Sequence, residues 1–164
     1  MATRAVEARS IAPLIRALSR KMAWDDALGM LMEVNRREAS HRGRHLAEEI
    51  GRNVIEELVD EVAGWGGGGA WGMDVLQQAS TVNSLDVTRS PHHEKHLESR
   101  LLDLGAGLSC CRDEPLAREF NPRLRLGRTT AITEAADHCD SRNVLRQVSR
   151  ARALEGQWIS SWRQ

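Results

Sequence analysis

The chain has 164 residues, with twenty-three basic and twenty-three acidic side chains. That length fits one domain, able to bury roughly two-thirds of its unfolded surface, and the balanced charge leaves no basic excess to hold a nucleic acid or an anionic membrane. No apolar run reaches the roughly 18 residues of a spanning helix and the first ten residues lack an export signal's apolar core, so a cytoplasmic location is expected, with the three cysteines as thiols.

The first third reads as helical. Ile11, Leu14, Ile15 and Leu18 recur at helical spacing, which predicts a helix over about 4–22 with Pro13 as a blemish in its first half. Trp24-Asp25-Asp26 opens a second helix through Leu28, Leu31, Met32 and Val34, with a polar continuation from Arg36 to Arg44. Leu46, Ile50, Val54, Ile55, Leu58, Val59 and Val62 make the apolar stripe of a third, ending this helical part at about residue 63. Charge-rich helices are ordinarily solvated, although this part also offers a face for a second copy in a homodimer.

Gly66 to Gly69 lack a Walker lysine, so a flexible connection is the expected role. The period then changes to two. Trp71, Met73 and Val75, then Val82, Leu85 and Val87, predict two strands turning near Ser80 or at Asn83-Ser84. Ser90-Pro91 supplies an N-cap and a first-turn proline for a helix carrying Leu97, Leu101, Leu102 and Leu104. A shorter helix follows over about 108–120, interrupted or restarted near Pro115. Leu124, Leu126, Thr129, Ala131 and Thr133 then alternate as a strand, 134–137 turns, and a return strand runs to about Val144. A basic tail occupies 145–164.

Helices, two strands, helices and two strands predict an α+β domain: a helical N-terminal third, then two β-hairpins forming an antiparallel sheet with helices on it, the α+β part spanning 70–144. There are five tryptophans against one phenylalanine and no tyrosine. Trp65, Trp71 and Trp158 are candidates to line a pocket, with a core role as the plainer reading.

His92 and His96 stand four apart and share a helix face, as do His41 and His45. Such pairs can ligate a metal, but solvated helix histidines are the ordinary case, and neither a metal nor a cofactor is expected. Cys110 precedes Cys111-Arg112-Asp113, and Cys139 precedes Asp140-Ser141-Arg142; a neighbouring arginine favours a thiolate. Strand alternation places Cys139 with Asp137 and Ser141, and His138 with Asp140 and Arg142, so His138 is not simply the base for its neighbour's thiol.

Four linked segments, Leu85-Asp-Val-Thr-Arg-Ser-Pro91, Leu108-Ser-Cys-Cys-Arg-Asp113, Phe120-Asn-Pro122 and the run from Arg128 to Arg142, together resemble the L-2-amino-thiazoline-4-carboxylate hydrolase family. The resemblance covers 85–143 and implies a small α+β hydrolase that opens a cyclic amidine-like ring to an N-carbamoyl amino acid, with cysteine chemistry at its centre. By position it implies catalytic roles among Cys139, Cys110, Asp113, Asp140 and His138, and substrate contacts among Arg112, Arg142, Asn121, Thr129 and Ser90. Cys139 and Cys110 are alternative nucleophiles; Asp113 and Asp140 are alternatives for orienting water or holding the amidine; Arg112 and Arg142 are alternatives for a substrate carboxylate.

Departures from the family pattern matter. Ser90 stands where the family has a cysteine, Ala135 replaces a turn glycine, and Ser141 and Asn143 replace a phenylalanine and a tyrosine. These changes imply an altered substrate or reaction, fitting natural-product metabolism and a C–N hydrolase whose chemistry has diverged. Two other readings are a non-catalytic small-molecule-binding domain similar to the vinyl-reductase (V4R) type, and a cyclase or lyase evolved from the hydrolase fold.

Overall fold

The computed structural model describes residues 2–65 and 71–146, with side chains for 8–60 and 71–146. The glycine connection at 66–69, most of the basic tail, and the side chains of Trp65 and Trp158 lie outside the described residues.

Helix α1 (Ala2–Leu18) runs unbroken through Pro13. Helix α2 (Trp24–Ile50) is one 27-residue rod, polar middle included. Its buried residues, Ala27, Leu31, Asn35, Ala39, Gly43 and Leu46, recur at three or four and make a single stripe, so the polar stretch is the wet side of one helix. The small members of that stripe let α6 (Asp113–Phe120) approach closely: a Cβ on Gly43 would collide with the Leu116 carbonyl oxygen.

The expected third helix is divided. Gly51 takes the left-handed conformation (φ 70°), and its N–H bonds the Ala47 carbonyl at 3.1 Å, which caps α2. Leu46 and Ile50 therefore belong to α2, and α3 (Ile55–Trp65) starts afresh. Helical spacing across a capping glycine looks like one stripe because both helices bury the same side.

Strands β1 (Gly72–Ala79) and β2 (Val82–Arg89) form a hairpin that turns at Ser80-Thr81, leaving Asn83-Ser84 inside β2. Helix α4 (Pro91–Glu98) begins at Ser90, whose hydroxyl accepts the His93 N–H. It stops before Leu101 because Arg100 turns left-handed (φ 56°). A 3₁₀ turn over Leu102–Leu104 and the short helix α5 (Gly105–Leu108) carry Leu104 and Leu108 inward, while Leu102 stays exposed. A second 3₁₀ turn, Cys110–Arg112, leads into α6, where Pro115 sits in the first turn and costs no hydrogen bond.

Strand β3 (Leu124–Gly127) is shorter than its alternation predicts, since Thr129 and Thr130 give their N–H groups to the Asp140 carboxylate instead of a ladder. A 3₁₀ turn, Ile132–Glu134, precedes β4 (Cys139–Leu145). The sheet order is β1-β2-β4-β3, antiparallel throughout, so the two strand pairs join along β2 and β4. The architecture is α+β as expected.

Among the described residues two apolar clusters hold it together. Ala8, Ala12 and Ile15 of α1 pack with Ala27, Leu31, Leu101, Leu104 and Leu108. Leu46, Ile55, Leu58, Ala117, Phe120 and Leu124 join the ends of α2 and α6 to the sheet. Leu126 and Leu145 extend this second cluster, which identifies the helix-covered face of the sheet. Among the described residues no helix is long and apolar enough to cross a membrane.

Candidate active site

The irregular segment 128–138 gathers the chemistry. Its 3₁₀ turn presents two adjacent groups to two different cysteines: the Ile132 N–H donates to Cys139 Sγ at 3.2 Å, and the Thr133 hydroxyl lies 3.1 Å from Cys110 Sγ. The two thiols are thus held by consecutive residues, one from β4 and one from the 3₁₀ turn before α6, 29 positions away in sequence. Cys111 is turned elsewhere, donating to the Gly107 carbonyl at 3.2 Å.

The guanidinium beside Cys110 is that of Arg128, not Arg112. It donates to the Cys110 carbonyl at 2.7 Å and to Asp113 at 2.7 Å. Burial pushes the Cys110 thiol up, against the opposing pull of Thr133 and Arg128. Burial also raises Cys111 despite the nearby Arg36 and Arg112. Neighbouring positive charge therefore does not make a thiolate of either; desolvation wins.

Asp140 is saturated. Its Oδ1 accepts the N–H groups of Thr129 (2.7 Å) and Thr130 (2.6 Å) and the Thr130 hydroxyl (3.0 Å), and its Oδ2 accepts the Thr129 hydroxyl at 2.8 Å. Desolvation pushes this carboxyl up, but the two backbone donors and two hydroxyls outweigh it and hold it well below the usual carboxylate range. Such a group is a poor proton acceptor near neutral pH; it braces the turn that carries Ile132 and Thr133, and Thr129 is part of that brace.

The alternation of β4 places Cys139, Ser141 and Asn143 with Leu145 on the helix-covered face, and Asp140 and Arg142 on the other. On that outer face Arg142 donates to Asp86 Oδ1 at 3.0 Å and to the Leu85 carbonyl at 2.9 Å, while His138 Nε2 lies 3.7 Å from Asp86 Oδ2. Arg112 donates to Asn35 Oδ1 at 2.9 Å, and buried Asn35 donates to the Gly107 carbonyl at 2.6 Å, tying the cysteine turn to α2. Asn121 bridges to the Asn53 carbonyl at 2.6 Å, and Ser90 caps α4. The structure thus brings together Cys110, Cys139 and Asp113, and engages Arg112, Arg142, Asn121, Thr129 and Ser90 in holding the fold.

Sequence reading did not single out Arg128, Thr133 or Asn35, although Arg128 and Thr133 lie in the same motif run as Cys139. His96 was seen only as half of a histidine pair. It is 7% exposed, with Nδ1 unpartnered, and burial lowers its affinity for a proton. His92 meets the edge of Trp71 instead (ring centroids 5.6 Å apart). His96 Nδ1 and Thr133 Cγ2 lie 3.6 and 3.2 Å from where a Cβ on Gly105 would fall, so this imidazole adjoins the cysteine cluster. Among the described residues no three of His, Cys, Asp and Glu converge as a metal site. A groove of about 980 Å³ between α2 and α6, lined by residues such as Arg37, His41 and Arg118, is a separate feature.

A layered α+β domain whose sheet end and helix turn pin two cysteines with one loop defines a class of thiol-bearing small domain. The sequence model of the L-2-amino-thiazoline-4-carboxylic acid hydrolase family matches residues 3–142, and the chain belongs to that family. The match takes in the helical third as well as the motif segments. No curated protein matches the chain. Among solved structures the fold is similar to that of a trafficking protein particle complex subunit 3 from Naegleria fowleri covalently bound to palmitic acid, with a TM-score of 0.53, 10% identity, and coverage of 88% of this chain and 96% of that one.

Proposed function

We propose that this protein is a small-molecule hydrolase acting on a cyclic amidine-like, amino-acid-derived ring, with Cys139 as nucleophile and Cys110 as its proton-bearing partner. The observation that carries the reading is the shared 3₁₀ turn, which holds one sulfur by the Ile132 N–H and the other by the Thr133 hydroxyl. Burial keeps Cys110 a protonated thiol, suited to giving a proton to a departing atom.

In an aminothiazoline the Cys139 thiolate adds to the carbon between the ring nitrogen and sulfur. For this product it is the ring carbon–sulfur bond, and not a C–N bond, that breaks; its sulfur leaves with the electron pair and takes the Cys110 proton. Water then adds to the same carbon, returns a proton to Cys110 and expels Cys139 as thiolate, leaving an N-carbamoyl thiol; one water is consumed and no redox partner is needed. Arg128 and Asp113 flank the site and suit the polar ends of such a molecule. The departures at Ser90, Ser141 and Asn143 support a substrate changed from that of the wider family.

The test is mass spectrometry of the full chain incubated with L-2-amino-thiazoline-4-carboxylate, with and without a chelator, alongside Cys139→Ala. N-carbamoyl-L-cysteine formed by the parent and reduced at least about a hundredfold in a folded Cys139→Ala protein supports the reading. Product at an equal rate from Cys139→Ala removes the assigned nucleophile, and no product from the folded parent shifts the reading to a binding domain or a changed reaction.

A further inference from the structure

Residues 1–22 carry five basic side chains against one acidic, in a chain whose charges sum to zero. The fold gathers part of that excess into one place. Arg9, Pro13 and Arg16 recur at helical spacing on α1, Arg20 comes four residues later just past the helix end, and all four line a groove of about 440 Å³. Ser99 and Leu101, from the turn after α4, close it, and buried Ala12 and Leu101 give it an apolar floor.

Among the described residues no carboxylate lines this groove. Arg16 is the one of its three arginines that has a partner: Nη2 donates to Asp103 at 3.3 Å and to the Arg100 carbonyl at 3.2 Å. Among the described residues neither Arg9 nor Arg20 has one, nor does the Ser99 hydroxyl. Between Ser99 and Leu101, Arg100 takes a left-handed backbone (φ 56°), unfavourable for a residue with a Cβ, and such departures gather at functional sites.

We propose that this groove binds a phosphate monoester carried on an apolar body. Two guanidiniums without a counter-charge call for two negative charges, and a phosphate monoester carries about −1.5 to −2 near neutral pH. A lone carboxylate supplies one. Arginine presents its N–H groups as a planar fork that matches phosphate oxygens, and the Ser99 hydroxyl adds a donor. The floor sets the other half of the ligand: inorganic phosphate leaves Ala12, Pro13 and Leu101 uncovered, whereas an ester covers them. The volume suits a small organic molecule. That monoester is a soluble phosphorylated compound or the headgroup of a lipid such as phosphatidate. No residue of the groove belongs to the cysteine site, so this inference stands apart from the hydrolase reading.

The experiment is calorimetric binding of phenyl phosphate, benzoate and inorganic phosphate to the full chain. It is repeated on the double variant Arg9→Gln, Arg20→Gln, on Cys139→Ala, and on Arg52→Gln as an exposed arginine elsewhere. Arg9 and Arg20 are exposed, so the double variant keeps its fold, which a melting curve verifies. The parent is expected to bind phenyl phosphate about tenfold more tightly, or better, than either other probe. The double variant loses about tenfold or more of that affinity, while Arg52→Gln and Cys139→Ala bind as the parent does. Similar affinity for all three probes, no binding of phenyl phosphate, undiminished binding by the double variant, or an equal loss in Arg52→Gln overturns the site. Sedimentation with phosphatidylcholine vesicles containing phosphatidate or phosphatidylserine, at about 0.15 M salt, separates the two sources. Retention by phosphatidate alone, lost in the double variant, assigns the monoester to a lipid, and no retention assigns it to a soluble compound. Equal retention by both lipids shows general charge attraction and overturns the monoester.

Discussion

Asp140 accepts the backbone N–H of Thr130 at 2.6 Å, and that one contact determines where β3 stops and the turn that holds the two cysteines begins. With Thr129 bound in the same way, two amides that would extend the β3–β4 ladder are turned onto a side chain, and 128–138 becomes a loop able to aim Ile132 and Thr133 at the cysteines.

Replacing Asp140 with alanine leaves those two amides and two hydroxyls without their acceptor. The melting temperature is expected to fall by roughly 5 °C, with a smaller fall for Asp140→Asn, which keeps one acceptor oxygen. Because the same turn holds Cys110 and Cys139, alkylation of both thiols by iodoacetamide should accelerate in Asp140→Ala. Unchanged melting and labelling refute the bracing role.

The same carboxyl sets an acid-side dependence. Its folded value lies below the ordinary 3.8, so between the two values the unfolded chain binds the extra proton and stability rises with pH. Its contribution is complete above the unfolded value and is lost as pH falls through the folded one. Chemical denaturation at pH 5 and pH 3 should show a smaller acid loss in Asp140→Asn than in the parent.

Gly43 is where α2 and α6 touch. A methyl group there meets the Leu116 carbonyl oxygen and comes within 3.0 Å of Glu119 Cβ, neither of which can swing away without moving α6. Gly43→Ala is expected to cost about 2 kcal/mol of unfolding free energy in urea titration. Gly29→Ala, in open space on the same helix, should be neutral or slightly stabilising.

Ala135 adopts a left-handed backbone (φ 66°) immediately after the 3₁₀ turn. That is where the family pattern has glycine, and the conformation explains the preference: a Cβ there costs about 1 kcal/mol or more. Ala135→Gly should stabilise the protein by about 0.5 kcal/mol after the entropy of the freer unfolded chain is deducted. A drop in stability contradicts the strain.

Ser90→Cys restores the family's residue at the start of α4. Sulfur is the weaker cap, so stability is expected to drop by about 0.5 kcal/mol from a hydroxyl contact already 3.4 Å long. Hydrolysis of L-2-amino-thiazoline-4-carboxylate should increase if position 90 carries part of the family's chemistry; the mass-spectrometric assay reads this directly.

Much of this protein was determined locally. Ser90-Pro91 opened a helix, the period change after the glycines announced strands, and the linked motifs pointed to the family, because caps, alternation and motif spacing act between residues near in sequence. Local pattern also placed Cys139 with Ser141 and opposite Asp140 and Arg142. What only the tertiary structure decided were relations across long gaps. Gly51 divides one apolar stripe into two helices because both sides of the break meet the same core. β3 yields to Asp140 because a carboxylate eleven residues away competes for its amides. Arg128, not Arg112, lies against Cys110, and desolvation, which depends on everything packed around a thiol, outweighs the charge that sequence proximity suggests. Asn83 looked like a turn residue, since its burial and its pairing with Asn143 exist only once β2 and β4 lie side by side.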